Sequence, residues 1–72
     1  MKFTVYENSQ STQDLINSIK TDIGDRNWNI EDLYRFLIKF YKTGACKHYE
    51  FQLINNILSV YLYGKLLFEV TE

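Results

Sequence analysis

YEFQLINNILSVYLYGKLLFEVT, residues 49 to 71, alternates apolar and polar side chains with a period of two. Tyr49, Phe51 and Leu53 alternate with Glu50 and Gln52, and Leu58, Val60 and Leu62 alternate with Ser59, Tyr61 and Tyr63. Successive strand side chains point to opposite sides of a sheet, so the pattern predicts two strands that each bury one face. Asn55-Asn56 between them suits a two-residue hairpin turn, because asparagine tolerates positive φ. Such a loop sets Phe51 opposite Val60 and Leu53 opposite Leu58, assembling an all-apolar face.

Gly64-Lys65 then turns the chain into a further strand, Leu66 to Thr71. A regular two-residue loop at this turn would place Leu67, Glu69 and Thr71 on the apolar face, and burying an unpartnered carboxylate there is costly. One extra residue, as a three-residue loop with Gly64 in the left-handed region or as a bulge, brings Leu66, Phe68 and Val70 to the core instead. The sequence therefore predicts an irregularity near Gly64. The outer face then carries His48, Glu50, Gln52, Ser59, Tyr61, Tyr63, Leu67, Glu69 and Thr71, joined by Tyr6.

Upstream, Lys2 to Glu7 alternates Phe3 and Val5 with Thr4 and Tyr6, a short strand that can join either edge of the sheet. Ser11 followed by Asp14 reads as a capping-box variant ahead of Leu15, Ile16, Ile19 and Ile23, which share one helix face, with Gly24 closing the helix. Asn29 caps a second helix with Asp32 at its third position, while Trp28 and Leu33 are placed as a hydrophobic staple. This helix extends to about Thr43, with Gly44 after it, and its apolar stripe is Leu33, Phe36, Leu37, Phe40 and Tyr41. The element order is β-α-α-β-β-β. The expected fold is α+β: one small domain over residues 1–72, with a three- to four-stranded antiparallel sheet and a helical hairpin packed on one face.

Composition narrows the function. Of 72 residues 46% are hydrophobic and 17% aromatic, which argues against disorder. A formal charge of −1 removes the bulk attraction on which a basic nucleic-acid binder relies. The single cysteine cannot form an internal disulfide, and a reducing, cytoplasmic setting is expected. The first residues turn polar too early for a secretory signal. Ile57 to Val70, the nearest approach to a membrane span, is interrupted by Ser59, Gly64, Lys65 and Glu69, so no membrane association is expected. Alanine occurs once, proline never and arginine twice, against many Asn, Ile, Lys, Tyr and Phe. We read this bias as that of an AT-rich gene from a phage or other mobile element.

Cys46, His48 and Glu50 superficially resemble a metal or nucleophile cluster. Zinc takes three or four ligands and the chain has one Cys and one His, so no metal and no cofactor are expected. Helix caps and first turns account for most of the carboxylates, and no phosphate-cradling glycine motif occurs, so the chain is expected not to be an enzyme. Arg35, Lys39 and Lys42 form a basic stripe on the second helix, and a weak nucleic-acid-binding or regulatory role for it is the alternative function. The leading expectation is a non-enzymatic protein-binding, host-interaction or accessory protein. Tyr61, Tyr63, Leu67, Tyr6 and His48, on the uncovered face, or else an edge strand, would engage a protein partner or a second copy of the chain.

Overall fold

The computed structural model describes residues 1–42 and 48–72. The elements are β1 (Lys2–Val5), α1 (Gln10–Ile23), α2 (Ile30–Tyr41), β2 (Tyr49–Ile54), β3 (Ile57–Leu62) and β4 (Lys65–Thr71). The strands form one antiparallel sheet in the order β1-β4-β3-β2, an α+β fold. β1 has taken the β4 edge, opposite to β2.

The β2–β3 hairpin has the register that the alternation demands: Phe51 faces Val60 and Leu53 faces Leu58. Its turn residues Asn55 and Asn56 sit at φ 53° and 61°, both in the left-handed region that asparagine tolerates. Leu58, Val60, Phe68 and Val70 are fully buried against Ile19, Leu33 and Leu37 from the helices. α2 packs on β2 and β3. α1 lies on the same face toward the β1 edge, where the Lys20 ammonium sits 5.1 Å from the centre of the Phe3 ring.

The expected irregularity exists, but it lies inside β4 rather than in the turn. The β3–β4 loop is two residues, Tyr63 and Gly64, at φ 51° and 79°. Tyr61 pairs with Leu66 and Val60 with Phe68, which leaves Leu67 as a bulged extra residue. Two side-chain placements are therefore corrected. Leu66 shares the outer face with its partner Tyr61. Leu67 is 4% exposed, in the core, and lines a cleft with Ser9 and Thr12 at the start of α1. The physical reason lies in the backbone: the Leu67 carbonyl accepts both the Tyr6 and the Glu7 N–H, at 2.8 and 3.0 Å. These bonds tie the bulge to the chain leaving β1, and parity is restored one residue later. Glu69 consequently faces outward, as the cost of burying its carboxylate requires.

The helix starts differ in how well the sequence marked them. Asn29 caps α2 as expected, its side-chain oxygen accepting the Asp32 N–H at 2.8 Å. Trp28 packs edge-to-face on Phe36, with ring centres 5.3 Å apart, and donates its indole N–H to the Ile23 carbonyl. The Ile30 N–H donates to the Glu72 carboxylate at 2.6 Å, so the end of β4 holds the start of α2. α1 begins two residues earlier than the Ser11 reading, with Ser9 as its cap: Ser9 Oγ accepts the Thr12 N–H at 3.2 Å and bonds the Thr12 hydroxyl at 2.9 Å. Thr12 is 1% exposed, so tertiary packing favours the cap that satisfies it. Gly24 closes α1 at φ 61°. Phe40 is not part of the buried stripe: it is 55% exposed and stands beside Phe36. α2 ends at Tyr41 with Lys42 as its cap, and the expected Thr43 end and the Gly44 stop lie outside the described residues.

Candidate functional site: the open sheet face

Among the described residues, both helices pack on the side of the sheet that holds Phe51, Leu58, Val60, Phe68 and Val70. The opposite side is built by the alternate residues. Glu50, Tyr61 and Leu66 form one row across β2, β3 and β4, and Gln52, Ser59, Glu69 and Thr4 form the next, which reaches β1. Tyr61 and Leu66 are both half-buried by their neighbours.

The aromatic residues gather at the end where β3 turns into β4. Tyr63 is 75% exposed at the tip of that turn, and its ring stacks on His48, with centres 4.9 Å apart and planes inclined by 29°. The stack forms because the β2 start and the β3–β4 turn lie at the same end of the sheet. Tyr6, just beyond β1 and 57% exposed, lies at that end too and donates its hydroxyl to Glu69 Oε1 at 2.8 Å. This bond, then the negative charge of Glu69, hold the Tyr6 phenol above its ordinary pKa.

The turn itself is unusual in its residue. Both central positions of this turn type require positive φ and favour Asn, Asp or Gly. Position 63 carries a bulky aromatic instead, with the steric cost that an L side chain incurs in the left-handed region. The Asn55-Asn56 turn shows the unstrained solution in the same molecule.

Of the five residues expected to form the patch, the structure stacks Tyr63 on His48, sets Tyr61 on the outer face between Glu50 and Leu66, bonds Tyr6 to Glu69 on the β1 side, and withdraws Leu67 into the core. Leu66 takes its place. Ile54, 62% exposed, and Ile57, 37% exposed, add an apolar pair at the far end of the same face, because they close the β2–β3 hairpin on its outer side. The outer face expected from the sequence omits both isoleucines, although the alternation that sets Gln52 and Ser59 outward puts them there too.

The basic stripe is largely offset. Arg35 lies between Glu31 and Asp32, at 3.6 and 4.0 Å, and Lys42 reaches Glu50 at 3.5 Å. Lys39 sits 5.5 Å from the centre of the exposed Phe40 ring. Among the described residues no cluster of three or more His, Cys, Asp or Glu is arranged to hold a metal ion. Cys46 lies outside the described residues. No described helix is long and apolar enough to cross a membrane.

The fold and the patch define an α+β module with one helix-covered sheet face and one face that presents tyrosines to solvent. Comparison with protein-family models, with curated proteins and with solved structures finds no match to this chain.

Proposed function

We propose that this chain is a small non-enzymatic binding protein whose outer sheet face, centred on Tyr61 and Tyr63 and flanked by His48, Leu66 and Tyr6, engages a protein partner. The setting we infer is that of an accessory or host-interaction protein of a phage or related element, acting in the cytoplasm. The observation that carries the reading is Tyr63: a large aromatic held at φ 51°, three-quarters exposed, where asparagine or glycine would satisfy the turn at lower cost. Tyrosine offers a broad contact area with little side-chain entropy to lose, and a hydroxyl for a polar partner group. The row formed by Tyr61 and Leu66 supplies an apolar floor beside it.

The test is capture of a partner from the native host by the intact chain, compared with a Tyr61→Ser, Tyr63→Asn double variant. Asparagine at 63 keeps the turn, because it tolerates the left-handed backbone. Loss of the captured protein with an unchanged circular dichroism spectrum supports the reading. Equal capture by both chains overturns it. Salt-sensitive DNA binding that disappears on Lys39→Glu replaces it with the basic-stripe function.

A further inference from the structure

A cleft of about 330 Å³ opens where α1 ends and the chain turns toward α2, bordered by β1. Gly24 lies on its surface at φ 61° and ψ −143°, a conformation that essentially only glycine adopts, so the turn leaves this part of the wall without a side chain. Phe3, Ile23 and Trp28 give the cleft an apolar lining, and Lys20, Asp25 and Arg26 give it charge. Its size falls within the range of small-molecule sites, and none of these residues belongs to the outer sheet face.

Lys20 and Arg26 are held by rings rather than by carboxylates. The Lys20 ammonium lies over Phe3, and the Arg26 guanidinium lies 5.5 Å from the centre of the Trp28 ring. Among the described residues neither forms an ion pair, whereas Arg35, Lys42 and Lys65 each do. A helix C-terminus attracts cations to its free carbonyls, which is the simplest use for both side chains. Here two of those carbonyls are already taken: that of Lys20 accepts the Gly24 N–H at 3.0 Å, and that of Ile23 accepts the Trp28 indole N–H at 3.1 Å. The two cations are therefore positioned without being neutralised, and the lining sets only the carboxylate of Asp25 against them.

We propose that this cleft binds a phosphate monoester of a small organic molecule, with Arg26 and Lys20 on the phosphate and the organic part against Phe3, Ile23 and Trp28. A guanidinium offers a flat fork to two oxygens and an ammonium binds as a point charge, so together they suit a group with three terminal oxygens better than a carboxylate with two. The cleft is larger than inorganic phosphate fills, and an apolar wall gives a bare ion no compensation for the water it loses. A nucleic-acid strand, with a single charge on each internal phosphate, is repelled by the chain's net charge of −1 and is disfavoured.

The test is a titration of the intact chain followed by amide NMR, in which Trp28, the single tryptophan, gives the one indole signal. The probes are AMP, ribose phosphate, inorganic phosphate and adenosine. Saturable shifts at Gly24, Arg26 and the Trp28 indole are expected with at least one of the two esters, with affinity at least about tenfold weaker for inorganic phosphate and none for adenosine. Arg26→Gln and Lys20→Gln, both at exposed positions, each weaken ester binding at least about tenfold while the circular dichroism spectrum is unchanged. Arg26→Lys keeps the charge without the fork and falls between. No shift at these residues up to about 10 mM of either ester overturns the proposal, as does binding that adenosine or inorganic phosphate matches, or binding indifferent to both glutamine substitutions. The cleft needs neither Tyr61 nor Tyr63, so the double tyrosine variant binds the ester as the wild-type chain does even where it no longer captures a partner.

Discussion

The Tyr6 hydroxyl and Glu69 join the chain leaving β1 to β4 across the outer face, and their contact raises the pKa of the phenol. Glu69 favours the neutral phenol, by accepting its proton in a hydrogen bond and by repelling the tyrosinate, so the folded-state pKa lies above that of the unfolded chain. The sign follows from linkage: the stability this bond contributes is fully present below the unfolded tyrosine value, about 10, and is lost as pH rises through the higher folded value. Ultraviolet titration of the folded chain therefore finds Tyr6 as a late-ionising tyrosine. Glu69→Gln returns it toward the ordinary value. An unshifted Tyr6 in the wild-type chain contradicts the geometry. The partnership was hidden from the sequence because the two residues are 63 positions apart, and outward parity alone does not pair them.

At the level of single elements, the start of α1 shows how local chemistry and packing compete. Ser9 and Ser11 are both competent caps by residue type, and the spacing from Ser11 to Asp14 resembles a capping box. In the fold Ser9 caps, and Asp14 accepts from the Gln10 amide within the first turns instead. Thr12 decides between them, since it is buried and its hydroxyl finds Ser9 Oγ. Ser9→Ala should cost about 1 kcal/mol in urea unfolding, and Ser11→Ala much less, because only the first leaves helix donors unsatisfied. Equal costs would restore the Ser11 start. At α2, by contrast, Asn29, Asp32 and Trp28 agreed with one another, and the cap formed where the residues placed it.

Over the whole molecule, the bulge in β4 reconciles two demands that one strand cannot meet in regular form. A two-residue turn at Tyr63-Gly64 fixes Leu66 opposite Tyr61, while the cost of burying Glu69 requires Phe68 and Val70 to face the helices. Leu67 absorbs the mismatch and is buried by it. Leu67→Ala is therefore expected to destabilise the chain by about 2–5 kcal/mol, as a core truncation, and Leu66→Ala by less than about 1.5 kcal/mol. Thermal or urea unfolding of the pair separates the two placements, and the reverse order would return Leu67 to the surface.

Periodicity by itself determined the element order, the β2–β3 register, the core positions Leu15, Ile16, Ile19, Leu33 and Leu37 on the helices, and the need for an irregular step between Tyr61 and Glu69. Those features follow from local alternation and from the cost of burying a carboxylate, and both are written in the order of residues. The site of that step was decided only in three dimensions, because the Leu67 carbonyl is held by Tyr6 and Glu7 from the far end of the chain. The edge taken by β1, the exposure of Phe40 and the stack of Tyr63 on His48 were likewise settled by which elements became neighbours. A one-residue pattern carries no information about such long-range contacts, and the tyrosine patch depends on them.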